Sequence, residues 1–124
     1  IINFLRKADV KRIVIDGANG QAILKENLKD ANIKIPVTLP TVKNVIEANA
    51  LFEKSINDGT ICHFGQPSLR QVATNSEKRA IGTNGGFGYK SIMNDVDITL
   101  LDSTILALWA CKKYSRKKKQ QVFY

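Results

Sequence analysis

Asp16 ends a short apolar run, Arg12-Ile13-Val14-Ile15, and is followed at once by Gly17-Ala18-Asn19-Gly20. A β-branched run closed by Asp-Gly reads as a buried strand entering a turn. In open α/β sheets the carboxyl ends of strands are where functional groups gather. A turn or cap aspartate would look the same, because Asp-Gly is a common turn dipeptide. A second acidic group, Asp95, Asp97 and Asp102, lies near the start of the last apolar periodic segment. Asp97 sits between Val96 and Ile98 and suits a helix N-cap. Asp102 falls between Leu101 and Ile105, on or beside the packing stripe, where a lone carboxylate needs a cation or hydrogen-bond donors. With the helix expected to begin near Asp95 or Asp97, Asp95 and Asp102 share a helical face, whereas Asp97 and Asp102 do not. An ordinary acidic first turn, favoured by the helix dipole, explains Asp95 and Asp97 well and Asp102 poorly.

Carboxylates on distant segments point to hard-cation chemistry, with Mg²⁺ or Mn²⁺ as the ions such oxygens prefer. Two such ions about 3.5–4 Å apart can stabilise the attacking and leaving oxygens of a phosphodiester cleavage. Other candidates are weaker. His63 is the single histidine, and no serine or cysteine has a readable partnership with it. Lys90, after the glycine-rich stretch 82–88, could hold a phosphate. The loop Gly17–Gly20 lacks the Gly-Lys-Ser/Thr of a P-loop, so a nucleotide-binding domain ranks last.

These residues need a scaffold, and the hydrophobic pattern predicts one. Helical turns are expected over residues 3–10, a strand over 12–16, a helix over 20–31 with Ile23, Leu24 and Leu28 inward, and a strand over 35–39. Thr41 then caps a long amphipathic helix over 42–56 that carries Val42, Val45, Ile46, Leu51, Phe52 and Ile56. A brief strand or extended segment is expected at 60–64, a helix from Pro67, an extended segment at 89–93, and a last helix to about Lys113 with Ile98, Leu101, Ile105, Leu108 and Trp109 as its stripe. Strands alternating with helices predict an α/β sandwich with a largely parallel sheet and helices on both faces.

Composition narrows the function classes. The 124 residues, 44% of them hydrophobic, fit one globular domain spanning 1–124. No apolar run approaches the ~20 residues of a membrane span, so no membrane partner is expected. Cys62 and Cys111 lie far apart and lack metal-type spacing, which favours a reduced, cytoplasmic setting. The net charge is +8, and six of the 19 basic residues fall in a tail at 112–124: Lys112, Lys113, Arg116, Lys117, Lys118 and Lys119. Such a run can meet phosphates, or simply complement the negative pole of a helix end.

Read in order, several segments resemble the terminase large subunit of tailed phages and prophages. They are Ile13-Val14-Ile15-Asp16-Gly17; the stretch from Ile61 through His63, Gln66 and Pro67 to Leu69, with Asn75 downstream; Gly88-Tyr89-Lys90; and Val96-Asp97 leading into a helix through Ala107 and Ala110. The resemblance runs from about residue 5 to residue 112. It implies an RNase H-like, two-metal endonuclease domain with three acidic ligands that cuts concatemeric double-stranded DNA during genome packaging, in the cytoplasm of a bacterial host. It also implies partners: an N-terminal ATPase domain, the portal and the small terminase subunit. Asp16 matches the ligand on the central strand. For the ligand at the last helix Asp97 matches best and Asp102 is its rival, with His63, Asn75 and Asp95 as accessory candidates. Lys90, Lys112, Lys113, Arg116 and Lys117 would contact DNA. The family's first ligand lies on an earlier strand, and nothing before Asp16 supplies it, since Asp9 follows a helix. The chain is thus expected to be a piece of a longer protein, N-terminal strands missing, and a weak nuclease by itself. The competing expectation is a non-catalytic basic module that binds nucleic acid or docks a protein, with the aspartates serving as caps.

Overall fold

A computed structural model describes residues 1–17 and 19–115. Its elements are α1 (Ile2–Lys7), β1 (Ile13–Val14), α2 (Gln21–Asp30), β2 (Val37–Thr38), α3 (Val42–Asn57), α4 (Pro67–Thr74), β3 (Ser76–Ile81), β4 (Gly86–Ser91) and α5 (Thr99–Tyr114). The protein is mixed α/β. The single largely parallel sheet expected from the pattern is not what forms. The described residues make two two-stranded sheets, β1 with β2 and β3 with β4.

The first sheet is parallel, with Ile13 opposite Val37 and Val14 opposite Thr38. Helix α2 makes the crossover that parallel neighbours require. The ladder continues past β1, since the Ile15 amide donates to the Thr38 carbonyl at 3.0 Å. The chain therefore stays extended almost to Asp16. Within α2 only Leu28 is buried, and Ile23, expected inward, is exposed.

The second sheet is an antiparallel hairpin that pairs Ser76 with Ser91 and Ile81 with Gly86. Its four-residue connection carries glycines in the left-handed region at both ends, Gly82 at φ 68° and Gly85 at φ 79°. β3 escapes a reading by pattern because Ser76-Glu77-Lys78-Arg79-Ala80-Ile81 is polar and exposed along its middle. Pairing with β4 holds it, not burial. Residues 60–64, expected as a brief strand or extended segment, form no strand; Phe64 there is 99% exposed.

Helix α3 starts where expected. The Asn44 amide donates to Thr41 Oγ1 at 3.2 Å and the Thr41 amide donates to Asn44 Oδ1 at 3.0 Å, a reciprocal cap. The core is the seam between α3 and α5, extended by α4: Ala48, Val72, Leu101, Ile105, Leu106, Trp109 and Ala110 are buried, with Val14, Leu51, Phe52, Leu69 and Tyr89 packed against them. Val42 and Ile56, at the two ends of the α3 stripe, remain exposed. Gly86 lets α3 approach the hairpin; a Cβ there would come within 2.8 Å of the Ile46 side chain. Among the described residues no helix is long and apolar enough to cross a membrane.

Candidate functional site

Packing β1 against α5 brings Asp16 and Asp102 to one place. Asp16 leaves the carboxyl end of β1, and Asp102 lies in the first turn of α5. Both line a cleft of ≈ 1140 Å³ between the end of β1 and α5, together with Lys11, Arg12, Val14 and Tyr114. Both also line a small adjoining cavity of ≈ 50 Å³, shared with Asn49, Arg79, Gly88 and Tyr89.

The two carboxylates differ in their surroundings. Asp16 Oδ1 accepts from the Gly17 amide at 2.9 Å, a local turn contact that leaves the group exposed. Asp102 accepts no hydrogen bond from any described residue. Its carboxyl opens to the cleft on one side, while Leu101, Ile105 and Leu106 are buried beside it. Desolvation pushes its pKa above the ordinary carboxylate value; the Arg79 guanidinium opposes this, and the negative charges of Asp16 and Asp97 add to it. Asp102, like Asp16, is exposed as a residue, so its desolvation is partial; an unpartnered acid close to another acid is a candidate cation ligand.

Asp97 belongs to a different arrangement. Its Oδ1 accepts from the Thr99 amide at 2.7 Å and also from the Thr99 hydroxyl. These bonds, first the side chain and then the backbone of Thr99, hold its pKa below the ordinary value. Asp97 lines neither cavity; the N-cap of α5 is Ile98 with no side-chain cap bond, so the expected capping role of Asp97 is not seen, and its carboxylate instead makes a local turn contact with Thr99. Asp95 lies in the turn before α5, and because the helix starts at Thr99 the expected common face of Asp95 and Asp102 does not exist. Among the described residues no group of three or more His, Cys, Asp or Glu side chains is arranged to hold a metal ion.

The basic candidates are mostly engaged within the protein. Lys90 pairs across the hairpin with Glu77 at 3.2 Å. Lys112 donates to the buried hydroxyl of Ser55 at 3.3 Å, tying α5 to α3. Lys113 lies 4.8 Å from the Trp109 ring centroid. Arg116 and Lys117, with the rest of the tail, lie outside the described residues. His63 is exposed and its Nδ1 accepts from the Gly65 amide at 2.9 Å, within its own loop. Asn75 is the C-cap of α4, and its carbonyl accepts from the Ile92 amide at 2.7 Å.

The cations at the cleft and its adjoining cavity are ones the sequence pattern did not single out. Arg12 donates to Thr38 Oγ1 at 2.9 Å and stacks 3.6 Å from the Tyr114 ring centroid. Lys11 pairs with Asp9 at 2.7 Å. Arg79 donates from Nε to the Tyr89 carbonyl at 3.3 Å. Arg12 could have been noticed as the residue that opens the strand ending in Asp16. Arg79 and Asn49 carry no local signal, because one lies on an unpatterned strand and the other in the middle of a long helix.

Compared with known proteins, the chain matches no family model, no curated protein and no solved structure.

Proposed function

We propose that this chain is the metal-binding part of a metal-dependent endonuclease domain acting on double-stranded DNA. One observation carries the reading: Asp16, at the end of a parallel strand, and the unpartnered Asp102, in the first turn of the last helix, line the same cleft. The assignment favours Asp102 over Asp97 as the helix ligand, since Asp97 is occupied by Thr99.

Residues at the site suit the group. Two carboxylates facing one cleft offer hard oxygen donors, which Mg²⁺ and Mn²⁺ prefer. When bound, such a cation would supply polarisation of a phosphoryl oxygen and a more acidic water. The chain's own residues would do the rest. Asp16 and Asp102 would hold the ion. Lys11 and Arg12 line the cleft where a phosphodiester would need its charge neutralised, and Arg79 lines the small cavity beside it. The reaction is attack of water on phosphorus with departure of a sugar oxygen. Excess positive charge makes the accompanying DNA binding sequence-independent and salt-sensitive.

The parallel β1-α2-β2 unit with an acid at the end of β1 is compatible with the RNase H-like, terminase-like reading, in which the packaging ATPase, the portal and the small terminase subunit are partners. That family's arrangement uses a further acid from an earlier strand, so cleavage by this chain alone is expected to be slow. The test is nicking of supercoiled plasmid in Mn²⁺. Slow nicking that is lost in both Asp16→Asn and Asp102→Asn, with DNA binding retained, supports the reading. Nicking that survives both substitutions overturns it. DNA binding without any metal effect favours the alternative, a non-catalytic basic module, for which the +8 charge is the supporting observation.

A further inference from the structure

Two buried polar atoms near the acidic pair lack a partner among the described residues, Arg12 Nε and Asn49 Oδ1, and only the second is an acceptor. Asn49 is 3% exposed, in the middle of α3. Its Nδ2 donates to the Val45 carbonyl at 2.8 Å, which fixes the amide orientation, because the reverse would set two oxygens against each other. Its Oδ1 is fully buried and has no partner among the described residues. An amide oxygen left so is unfavourable, and such groups normally find a donor, a water or an ion.

The surroundings of that oxygen decide among these. Asn49 lines the small cavity together with Asp16, Asp102, Arg79, Gly88 and Tyr89. Gly88 lines the same space, and a Cβ there would come within 2.9 Å of the Ile81 side chain and 3.7 Å of Asn49 Nδ2. The volume of ≈ 50 Å³ exceeds the ~30 Å³ share of one water molecule. Arg79 is tethered through Nε to the Tyr89 carbonyl, and its single positive charge is outnumbered by the two carboxylates that share the lining. A space lined by two carboxylates and by the residue that carries this unpartnered oxygen favours a cation over an anion.

We propose that Asn49 Oδ1 is a third protein oxygen ligand for a divalent cation, completing with Asp16 and Asp102 a site drawn from α3, the end of β1 and α5. The inference rests on the metal reading above and adds a ligand that is neither acidic nor close in sequence to either aspartate. It also gives the buried oxygen its partner and ties the α3–α5 seam to the ion.

The experiment is calorimetric titration of the chain with Mn²⁺, with Mn²⁺-induced shifts in melting temperature as a second readout, on wild type, Asn49→Leu, Asn49→Asp and Asp16→Asn. Asn49→Leu keeps the volume and removes the oxygen; it is expected to weaken Mn²⁺ by about tenfold or more while leaving the metal-free melting temperature unchanged or higher. Asn49→Asp restores an oxygen and is expected to bind at least as tightly as wild type. Asn49→Leu binding like wild type, or Asn49→Asp binding no better than Asn49→Leu, overturns the Asn49 assignment alone, provided Asp16→Asn abolishes binding. Absence of Mn²⁺ binding by wild type overturns both this inference and the metal reading.

Discussion

The α3–α5 seam and the acidic mouth at the end of β1 share a helix, yet they are built on opposite terms. In the seam every large group has what it needs. Trp109 and Ile105 are buried among apolar neighbours, and even the buried hydroxyl of Ser55 receives a hydrogen bond from Lys112. One helical turn away, Asp102 has no donor and Asn49 keeps an orphan oxygen. Stability is concentrated in the first region, and unmet chemical capacity in the second. Such a division is expected where a fold supports a site, because functional positions break local rules that the rest of the structure obeys.

The largest expected effect lies in the seam. Trp109→Ala should cost about 3–5 kcal/mol in urea unfolding, the usual result of emptying a large buried site. A loss below about 1 kcal/mol would mean that the seam is not the core described. Thr41→Ala, which removes the reciprocal cap of α3, should cost about 1 kcal/mol with an unchanged denaturant slope.

Substitutions at the mouth should behave in the opposite sense. Asp102→Asn is expected to raise stability slightly at neutral pH while abolishing Mn²⁺ binding. Its carboxyl has a folded pKa above 3.8, so ionisation opposes folding. The penalty is absent below 3.8, grows as pH rises through the raised value, and is fully present above it. Unfolding measured across that window should therefore show a fall in wild-type stability that Asp102→Asn removes.

The smallest effect, and the finest discriminator, is at Asp97. Its folded pKa is lowered by the Thr99 bonds, so its contribution is present above 3.8 and is lost as pH falls through the lowered value. Asp97→Ala should flatten that acid limb, reduce melting temperature modestly at neutral pH and leave Mn²⁺ affinity unchanged. Loss of Mn²⁺ binding in this variant would move the helix ligand from Asp102 to Asp97.

What could be read from the sequence follows from which interactions are local. Asp16 at a strand end, the β1-α2-β2 unit and the Thr41 cap were legible because strand runs, helical periods and caps act over a few residues. The hairpin was not, because β3 is polar and exists through pairing with β4. The choice between Asp97 and Asp102 turned on where α5 begins. A start near Asp95 would have put Asp95 and Asp102 on one face; the start at Thr99 leaves Asp97 before the N-cap, bonded to Thr99, and puts Asp102 in the first turn. Arg79 and Asn49 reach the site through contacts between elements distant in sequence, which no pattern in a single segment encodes.

The most direct measurement is the anomalous difference map of a crystal of this chain soaked in Mn²⁺. The account predicts a peak bonded to carboxylate oxygens of both Asp16 and Asp102, at distances near ~2.1 Å. Carboxylates turned into separate regions with no peak between them, or a peak held by Asp95 or Asp97 instead, would contradict it.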